Sequence, residues 1–149
     1  RGDLGQLGNG LSASSNIPHL MPSLQGKTLV HAAASVYNTA YVSLDGELYT
    51  AGDNELGQLG VRSSDDQALE PRHVQALEAS SIVHVSVGLG HMVAVTDKGL
   101  LASWGGAEFG QLGQGAAGVS SPHPRLIRGL RDVHFTQVAC GACHTLALT

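Results

Sequence analysis

A tetrapeptide that recurs at a fixed spacing constrains this chain more than any other feature. Gly-Gln-Leu-Gly occurs at residues 5–8, 57–60 and 110–113, which are 52 and 53 residues apart. Self-similarity at this period predicts a repeated structural unit, with repeats at about 1–52, 53–105 and 106–149. Other residues recur at a spacing of 53, namely Pro18, Pro71 and Pro124; Leu24, Leu77 and Leu130; and Asn38, His91 and His144.

Each repeat is expected to contain short strands separated by glycine-rich turns. The run 82–87 is rich in β-branched residues and stops at Gly88, and the run 91–96 stops at the turn 97–99. No run has the periodicity of an amphipathic helix. A four-stranded antiparallel unit at this period indicates a β-propeller blade, an all-β fold. We predict three consecutive blades, with strands near 28–34, 38–44, 47–51, 71–76, 81–87, 91–96, 100–104, 124–128, 134–140 and 144–149.

The composition disfavours several functional classes. The formal net charge is −4, so the chain lacks the basic footprint of nucleic-acid or membrane-surface binding. No apolar run approaches the roughly 18–20 residues of a membrane span. With only Cys140 and Cys143, a disulfide-stapled secreted scaffold is disfavoured, and we expect an intracellular protein, cytoplasmic or nuclear.

The repeated segments resemble the regulator of chromosome condensation repeat family, whose members form seven-bladed β-propellers. The resemblance covers the whole chain and rests partly on the segment 46–60 and its copy 99–113. The family prefers Trp-Gly at Trp104-Gly105, where the other copy has Ala51-Gly52. The resemblance implies that this chain is part of a seven-bladed propeller.

A second element of the resemblance is the family's small-small-Gly-x-x-His pattern. The segment 138–148 fits it fully, with Gly141 and His144, and the segment 85–95 fits it with Val87 at a small-residue position. The segment 33–39 lacks both the glycine and the histidine, so that blade departs from the pattern.

We assign a structural role to the residues that recur. The glycines supply positive φ or close backbone approach, and the glutamine amides satisfy backbone groups of the turns. The histidines are expected to bridge backbone groups of neighbouring turns, and Leu56, Leu59, Phe109 and Leu112 to pack between blades. The recurrent structural residues are Gly5, Gln6, Gly8, Gly52, Gly57, Gln58, Gly60, Gly88, His91, Trp104, Gly105, Gly110, Gln111, Gly113, Gly141 and His144.

Two short motifs have a functional interpretation that the repeat pattern weakens. Cys140 to His144 spells C-x-x-C-H, which elsewhere attaches haem, but each position belongs to the repeat. Two thiols and one histidine do not complete a zinc site, and a redox pair is a weaker alternative. We therefore expect a reduced, unligated thiol pair and no cofactor. Arg1-Gly2-Asp3 spells an adhesion tripeptide but falls in a blade connection. There is no hydrolase elbow and no phosphate-binding loop.

A basic cluster marks a possible partner contact. It contains Arg125, Arg128 and Arg131, with His123 and His134 nearby, on an expected outer strand and turn. Such a patch is either a solvated surface or a contact for an acidic or phosphate-bearing partner. The acidic residues Asp65, Asp66 and Glu70 are interpreted as a solvated loop.

The leading functional hypothesis is a non-enzymatic protein-protein interaction scaffold, because propeller loops present rigid docking surfaces. The resemblance implies an alternative, guanine-nucleotide exchange on a small GTPase, the activity of the family's founding member on Ran. Ultraviolet-B light sensing needs clustered tryptophans, whereas this chain has one. Targeting or adaptor roles within a ubiquitin ligase, kinase or ciliary protein also remain open.

We further expect the chain to be an excerpt of a propeller, completed by other segments. Three repeat periods require more than 149 residues, and closed propellers use about four to eight blades. Apolar faces between blades should then be exposed at both ends.

Overall fold

The computed structural model describes residues 1–115 and 118–149, and it is all-β apart from three short 3-10 helices. The helices span Pro22–Leu24, Gln75–Leu77 and Arg128–Leu130. The strands, in chain order, are β1 Leu29–Ala34, β2 Asn38–Ser43, β3 Leu48–Asp53, β4 Gln67–His73, β5 Ile82–Val87, β6 His91–Thr96, β7 Leu101–Gly105, β8 Ser121–Leu126, β9 Gln137–Cys140 and β10 Thr145–Leu148.

The strands form two four-stranded antiparallel sheets that have the same architecture. Strands β1–β4 form the first blade and β5–β8 form the second blade, each in sequential order. The register also repeats, since Asn38 pairs with Gly52 in the first blade and His91 pairs with Gly105 in the second. The predicted β-propeller blade is therefore confirmed for these two sheets, each of which takes its fourth strand from the following repeat.

The third predicted blade differs from its expected four strands. Within the described residues, β9 and β10 pair with each other and form a two-stranded sheet. The 28 residues before β1 contain no strand, although they carry a Gly-Gln-Leu-Gly turn and a 3-10 helix. All ten predicted strands are present, but the expectation of four strands in each of three blades was wrong, because the described residues form two four-stranded sheets and one strand pair.

The outer strands begin earlier than predicted and contain prolines. Strand β4 includes Pro71, and β8 includes Pro122 and Pro124. Proline lacks a backbone N–H, so it is tolerated where that side of the strand needs no hydrogen bond. Both strands lie at the edge of their sheet, where one side is unpaired. Proline therefore lies inside these outer strands instead of marking their start.

The core runs through the contact between the two blades. One cluster joins Val42 and Leu48 of the first blade to Met92, Ala94 and Trp104 of the second. All six residues of β2 and all six of β6 are buried, as expected for strands covered on both faces. Their counterpart β10 alternates instead, and its Leu146 and Leu148 are exposed.

In the part of the chain that the structure describes, no helix has the length and apolar character needed to cross a membrane.

Candidate functional site

The three Gly-Gln-Leu-Gly segments each form two successive tight turns. In the segment at 57–60, the Gly57 amide donates to Asn54 O at 2.9 Å and the Gly60 amide donates to Gly57 O at 3.0 Å. Both glycines have positive φ, 72° and 69°, a region that strains residues with a Cβ. The segments at 5–8 and 110–113 repeat this hydrogen-bond pattern and the positive φ values.

The glutamine of each segment holds the turn with its side-chain amide. Gln58 Oε1 accepts from the amide of Leu56 at 2.8 Å, and Gln58 Nε2 donates to Asp53 Oδ2 at 2.7 Å. Gln6 and Gln111 accept from the equivalent backbone amides, each at 2.9 Å. The side-chain oxygen of each glutamine is therefore engaged within its own turn, and Gln6 Nε2 also donates to Val36 O at 3.3 Å.

The backbone carbonyl of the same glutamine accepts a hydrogen bond from the following sheet. Thr39 Oγ1 donates to Gln6 O at 2.6 Å, and Thr145 Oγ1 donates to Gln111 O at 2.9 Å. At the junction between the first and second blades the donor is the indole, because Trp104 Nε1 donates to Gln58 O at 2.8 Å. We call these three contacts the carbonyl clasps.

In each complete blade, the residue that donates the clasp hydrogen bond lies at one of two repeat positions. These two positions face each other in neighbouring strands. The first blade has Thr39 and, at the tryptophan position, Ala51. The second blade has Met92 at the threonine position and Trp104 as the donor. Sequence reasoning missed this relation, although the reciprocal exchange at two repeat positions was a visible signal.

The glycine in Gly-x-x-His provides a flat surface beneath the imidazole ring. A Cβ on Gly88 would lie 2.3 Å from Cε1 of His91, and one on Gly141 would lie 2.1 Å from Cε1 of His144. The first blade has Ser35 in place of the glycine and the smaller Asn38 in place of the histidine. The larger residue at the glycine position is therefore accompanied by a smaller residue at the histidine position.

His91 bonds to a side chain of the next sheet, which corrects the expected bridge between backbone groups. Its Nε2 lies 3.0 Å from Thr145 Oγ1, whose proton is donated to Gln111 O. Nε2 must therefore carry a proton and donate it. Nδ1 is buried and has no hydrogen-bond partner among the described residues. His144 is exposed.

Burial lowers the pKa of His91 to about 4, with a smaller contribution from the charge of His144. In the unfolded chain its pKa is near 6.5, so the unfolded state takes up a proton first as the pH falls. We expect unfolding measurements to show a stability loss of about 3 kcal/mol between pH 6.5 and pH 4 from this residue. His84, whose pKa burial also lowers, adds to the slope.

A variant isolates the contribution of His91 to this pH dependence. His91→Asn introduces the residue that occupies the equivalent position in the first blade and cannot take up a proton. We expect a flatter stability profile between pH 6.5 and pH 4 in urea titrations. An unchanged slope would assign the pH dependence to other groups.

The cysteines lie at the junction between the second blade and the β9–β10 pair. Cys140 Sγ lies 3.5 Å from Ser86 O, and the Cys140 amide donates to Ser86 Oγ at 2.8 Å. Burial raises the pKa of the Cys140 thiol, which disfavours the reactive thiolate. Both cysteines are free thiols, and the described residues contain no group of three or more His, Cys, Asp or Glu side chains able to hold a metal.

The Arg1-Gly2-Asp3 segment forms contacts within itself. The Arg1 guanidinium binds Asp3 through two contacts of 2.8 Å and lowers the pKa of that carboxyl. Gly2 is buried, and a Cβ there would lie 2.2 Å from Ala13 O. The carboxylate of the tripeptide is therefore engaged by its own arginine.

The four hydrophobic residues of the turns differ in burial. The expectation that they pack between blades is corrected for two of them. Leu59 and Leu112 are buried, whereas Leu56 and Phe109 are 49% and 66% exposed.

The acidic loop also differs from a purely solvated segment, because Asp65 Oδ2 accepts from Arg72 Nη1 at 2.8 Å. Hydrogen bonds from Ser63 and Arg72 lower the pKa of Asp65.

The three arginines predicted as a partner contact line one open concavity of about 850 Å³. Arg125 lies in β8, whereas Arg128 and Arg131 lie in and just after the last 3-10 helix. All three are exposed. The nearby His123 and His134 are outside the lining of this concavity.

The turns between the first two strands of each sheet form a second surface. Val36, Leu89 and Ala142 are equivalent repeat positions at these turns, and all three are exposed. They line one shallow concavity of about 290 Å³ with neighbouring residues. The three turns therefore present apolar side chains together.

Four-stranded antiparallel blades, packed face to face and joined by the carbonyl clasps, define this chain as a segment of a β-propeller. It belongs to the regulator of chromosome condensation (RCC1) repeat family, whose model matches residues 1–42, 45–95 and 98–148. A second model of the same repeat matches residues 82–111.

Two curated relatives illustrate how widely this repeat is used. The chain is 36% identical over 148 residues to the human E3 ubiquitin-protein ligase HERC2 and covers 99% of itself but 3% of that protein. It is also 36% identical over 148 residues to the Arabidopsis thaliana ultraviolet-B receptor UVR8, covering 33% of it. The chain thus spans a third or less of the length of these relatives.

Solved structures support the same fold. Prp20p of Saccharomyces cerevisiae superposes with a TM-score of 0.88 at 21% identity, covering 99% of this chain and 37% of Prp20p. Human WBSCR16 superposes with a TM-score of 0.82 at 23% identity, covering 97% of this chain and 38% of that one.

Proposed function

We propose that this chain is a non-enzymatic protein-protein interaction scaffold that presents the turns at Val36, Leu89 and Ala142 to a partner. The observation that carries this proposal is the exposure of an apolar residue at the same position of three successive repeats. Val36 is 52% exposed and Leu89 is 40% exposed. Grouped exposed apolar side chains are a common feature of protein contact sites.

The turns that carry these residues are held rigidly, which favours binding. Each is closed by the same backbone hydrogen bond, from Ser35 N to Asn38 O, from Gly88 N to His91 O and from Gly141 N to His144 O, at 2.8, 2.8 and 2.9 Å. Neighbouring turns are also linked, since Leu89 N donates to Ala142 O at 3.2 Å. A preformed surface loses little conformational entropy when a partner binds.

The repeat residues themselves support a structural role over a catalytic one. The glutamine amides, the clasp carbonyls and His91 all make contacts within or between sheets. The atoms that make these contacts are thereby committed to the fold, although His91 Nδ1 has no partner among the described residues. Because the chain has only two cysteines, we propose an intracellular location, cytoplasmic or nuclear.

Guanine-nucleotide exchange on a small GTPase is the alternative function. Yeast Prp20p is described as having binding properties to Gsp1p and histones. At 21% identity its similarity to this chain concerns the fold. This alternative predicts that the protein accelerates release of a fluorescent guanine nucleotide from a small GTPase, whereas the scaffold proposal predicts no acceleration.

The scaffold proposal is tested by placing charge on the exposed turns. Val36→Asp with Leu89→Asp should reduce recovery of copurifying partners by about tenfold or more, because a buried apolar contact would gain two desolvated charges. Leu44→Asp is the matched control, since Leu44 is 69% exposed in the turn at the opposite end of the strands. Unchanged recovery with the double variant, at an unchanged melting temperature, would contradict the proposal.

A further inference from the structure

The strongest unassigned surface is the basic concavity on the outer side of the second blade, which is separate from the turns of the proposed scaffold surface. From the charge and exposure of its arginines we infer that Arg125, Arg128 and Arg131 bind an acidic peptide segment of a partner protein. This inference goes beyond the proposed function by naming a second surface and the chemistry of its ligand.

The charge of the concavity has one sign. Its described lining consists of the three arginines and Leu126, Gly113, Gln114, Gly115 and Gly129, with no carboxylate. The described residues also contain no salt bridge to any of the three arginines. Guanidinium groups bind carboxylates in a bidentate manner, so they favour an acidic ligand.

In the first blade, the arginine at the same repeat position is neutralised by a carboxylate of the chain itself. Arg72 is the counterpart of Arg125, and it donates to Asp65 at 2.8 Å and to Ser63 at 2.9 Å. The counterpart of Asp65 in the second blade is Gly118. The loop that satisfies the arginine of the first blade therefore lacks the carboxylate in the second.

The basic character is also specific to one repeat. The counterparts of Arg128 and Arg131 in the first blade are Gln75 and Glu78. Arg72, Gln75 and Glu78 are all exposed although the second blade packs against the first. A blade packed in the same way against the second blade would therefore leave the three arginines accessible.

One wall of the concavity corresponds to a face that the next blade covers in the first junction, since the Cβ position of Gly60, the counterpart of Gly113, lies 2.7 Å from Trp104 Nε1. Gln114 is fixed at the wall of the concavity, because Gln114 Nε2 donates to the backbone and side-chain oxygens of Ser103 at 2.9 and 3.0 Å. Pro122 and Pro124 remove amide donors from the adjacent strand, which limits pairing with an added strand. Binding must then come mainly from the arginines.

An acidic peptide fits this surface better than a nucleic acid. Nucleic-acid affinity depends on neutralising many phosphates, whereas this cluster offers three arginines and the chain as a whole carries a net charge of −4.

The test uses fluorescence anisotropy with the full chain and three labelled probes, an Asp-Ser repeat peptide, an Asn-Ser repeat peptide and a single-stranded DNA. We expect the aspartate peptide to bind and the asparagine peptide not to bind. Arg125→Gln with Arg128→Gln and Arg131→Gln should weaken aspartate-peptide binding by about tenfold or more. Arg72→Gln removes the counterpart arginine that Asp65 already neutralises. This variant should leave binding of the aspartate peptide unchanged.

A charge-adding variant tests the same site without removing an arginine. Gly118 has a φ of 80°, so the charge is better placed at Val119, the counterpart of Asp66. Val119→Asp should weaken binding of the aspartate peptide, and Val119→Asn should not. Because these side chains are exposed, circular dichroism of every variant should match that of the parent.

Three outcomes would overturn the inference. These are no binding of the aspartate peptide by the parent chain, equal binding by the triple arginine variant, and DNA binding that is equally strong and equally sensitive to the arginines. The variant carrying Val36→Asp and Leu89→Asp should retain peptide binding. A loss of partners in that variant alone therefore tests the scaffold proposal separately.

Discussion

Trp104→Ala is expected to lower the free energy of unfolding by about 3–5 kcal/mol. The indole is fully buried in the core cluster that joins the two blades, next to Met92 and Leu59. Alanine would leave a cavity there and would also remove the donor to Gln58 O. Urea unfolding followed by circular dichroism measures this loss, since Trp104 is the only tryptophan and its fluorescence disappears with it.

Trp104→Phe separates the hydrogen bond from the packing. Phenylalanine retains most of the apolar contact but leaves the buried carbonyl of Gln58 without its donor. We expect a loss of about 1–3 kcal/mol for an unsatisfied buried polar group, on top of a smaller cavity effect. If Trp104→Phe is as stable as the parent protein, the indole clasp contributes nothing measurable.

Gly57→Ala is expected to destabilise the protein by about 2–5 kcal/mol, through two additive effects. At a φ of 72° a Cβ is strained, and this Cβ would also lie 2.4 Å from Cα and Cβ of Pro122 in the second blade. The contact is with the Cα and the ring of a proline, neither of which can rotate away. The clash should therefore separate the blades locally.

Gly26→Ala is the matched control for the backbone strain. Gly26 has a φ of 83°, and no described atom lies within 4 Å of the position of its Cβ. The free energy of unfolding of the Gly26→Ala variant should fall by only about 1–2 kcal/mol in the same urea titration. Equal losses at the two positions would show that close packing between Gly57 and Pro122 does not contribute.

The blade architecture could be predicted from sequence because it depends on local signals that repeat. β-branched runs and glycine turns define the first three strands of each blade, and the 53-residue spacing relates one blade to the next. The outer strands were less predictable, since Pro71 and Pro124 suggested a strand start. In the structure their missing amides are accommodated at a sheet edge.

The contacts between blades could not be predicted in the same way. Thr39 and Trp104 donate to equivalent carbonyls from different strands, so only the packed sheets show that they serve one purpose. The neutralisation of Arg72 by Asp65 likewise depends on how a loop folds back onto β4. The sequence indicated the arginine cluster, but its relation to the first blade required the structure.

The recurrent turns fasten each sheet to the next through the glutamine carbonyl. The most direct test is the free energy of unfolding of Thr39→Val compared with Thr39→Ser. Valine has nearly the shape of threonine but cannot donate to Gln6 O, whereas serine retains the hydroxyl. Our account predicts a loss of about 1–3 kcal/mol for valine and a smaller loss for serine. A serine variant less stable than the valine variant would contradict it, because the site would then depend on methyl packing.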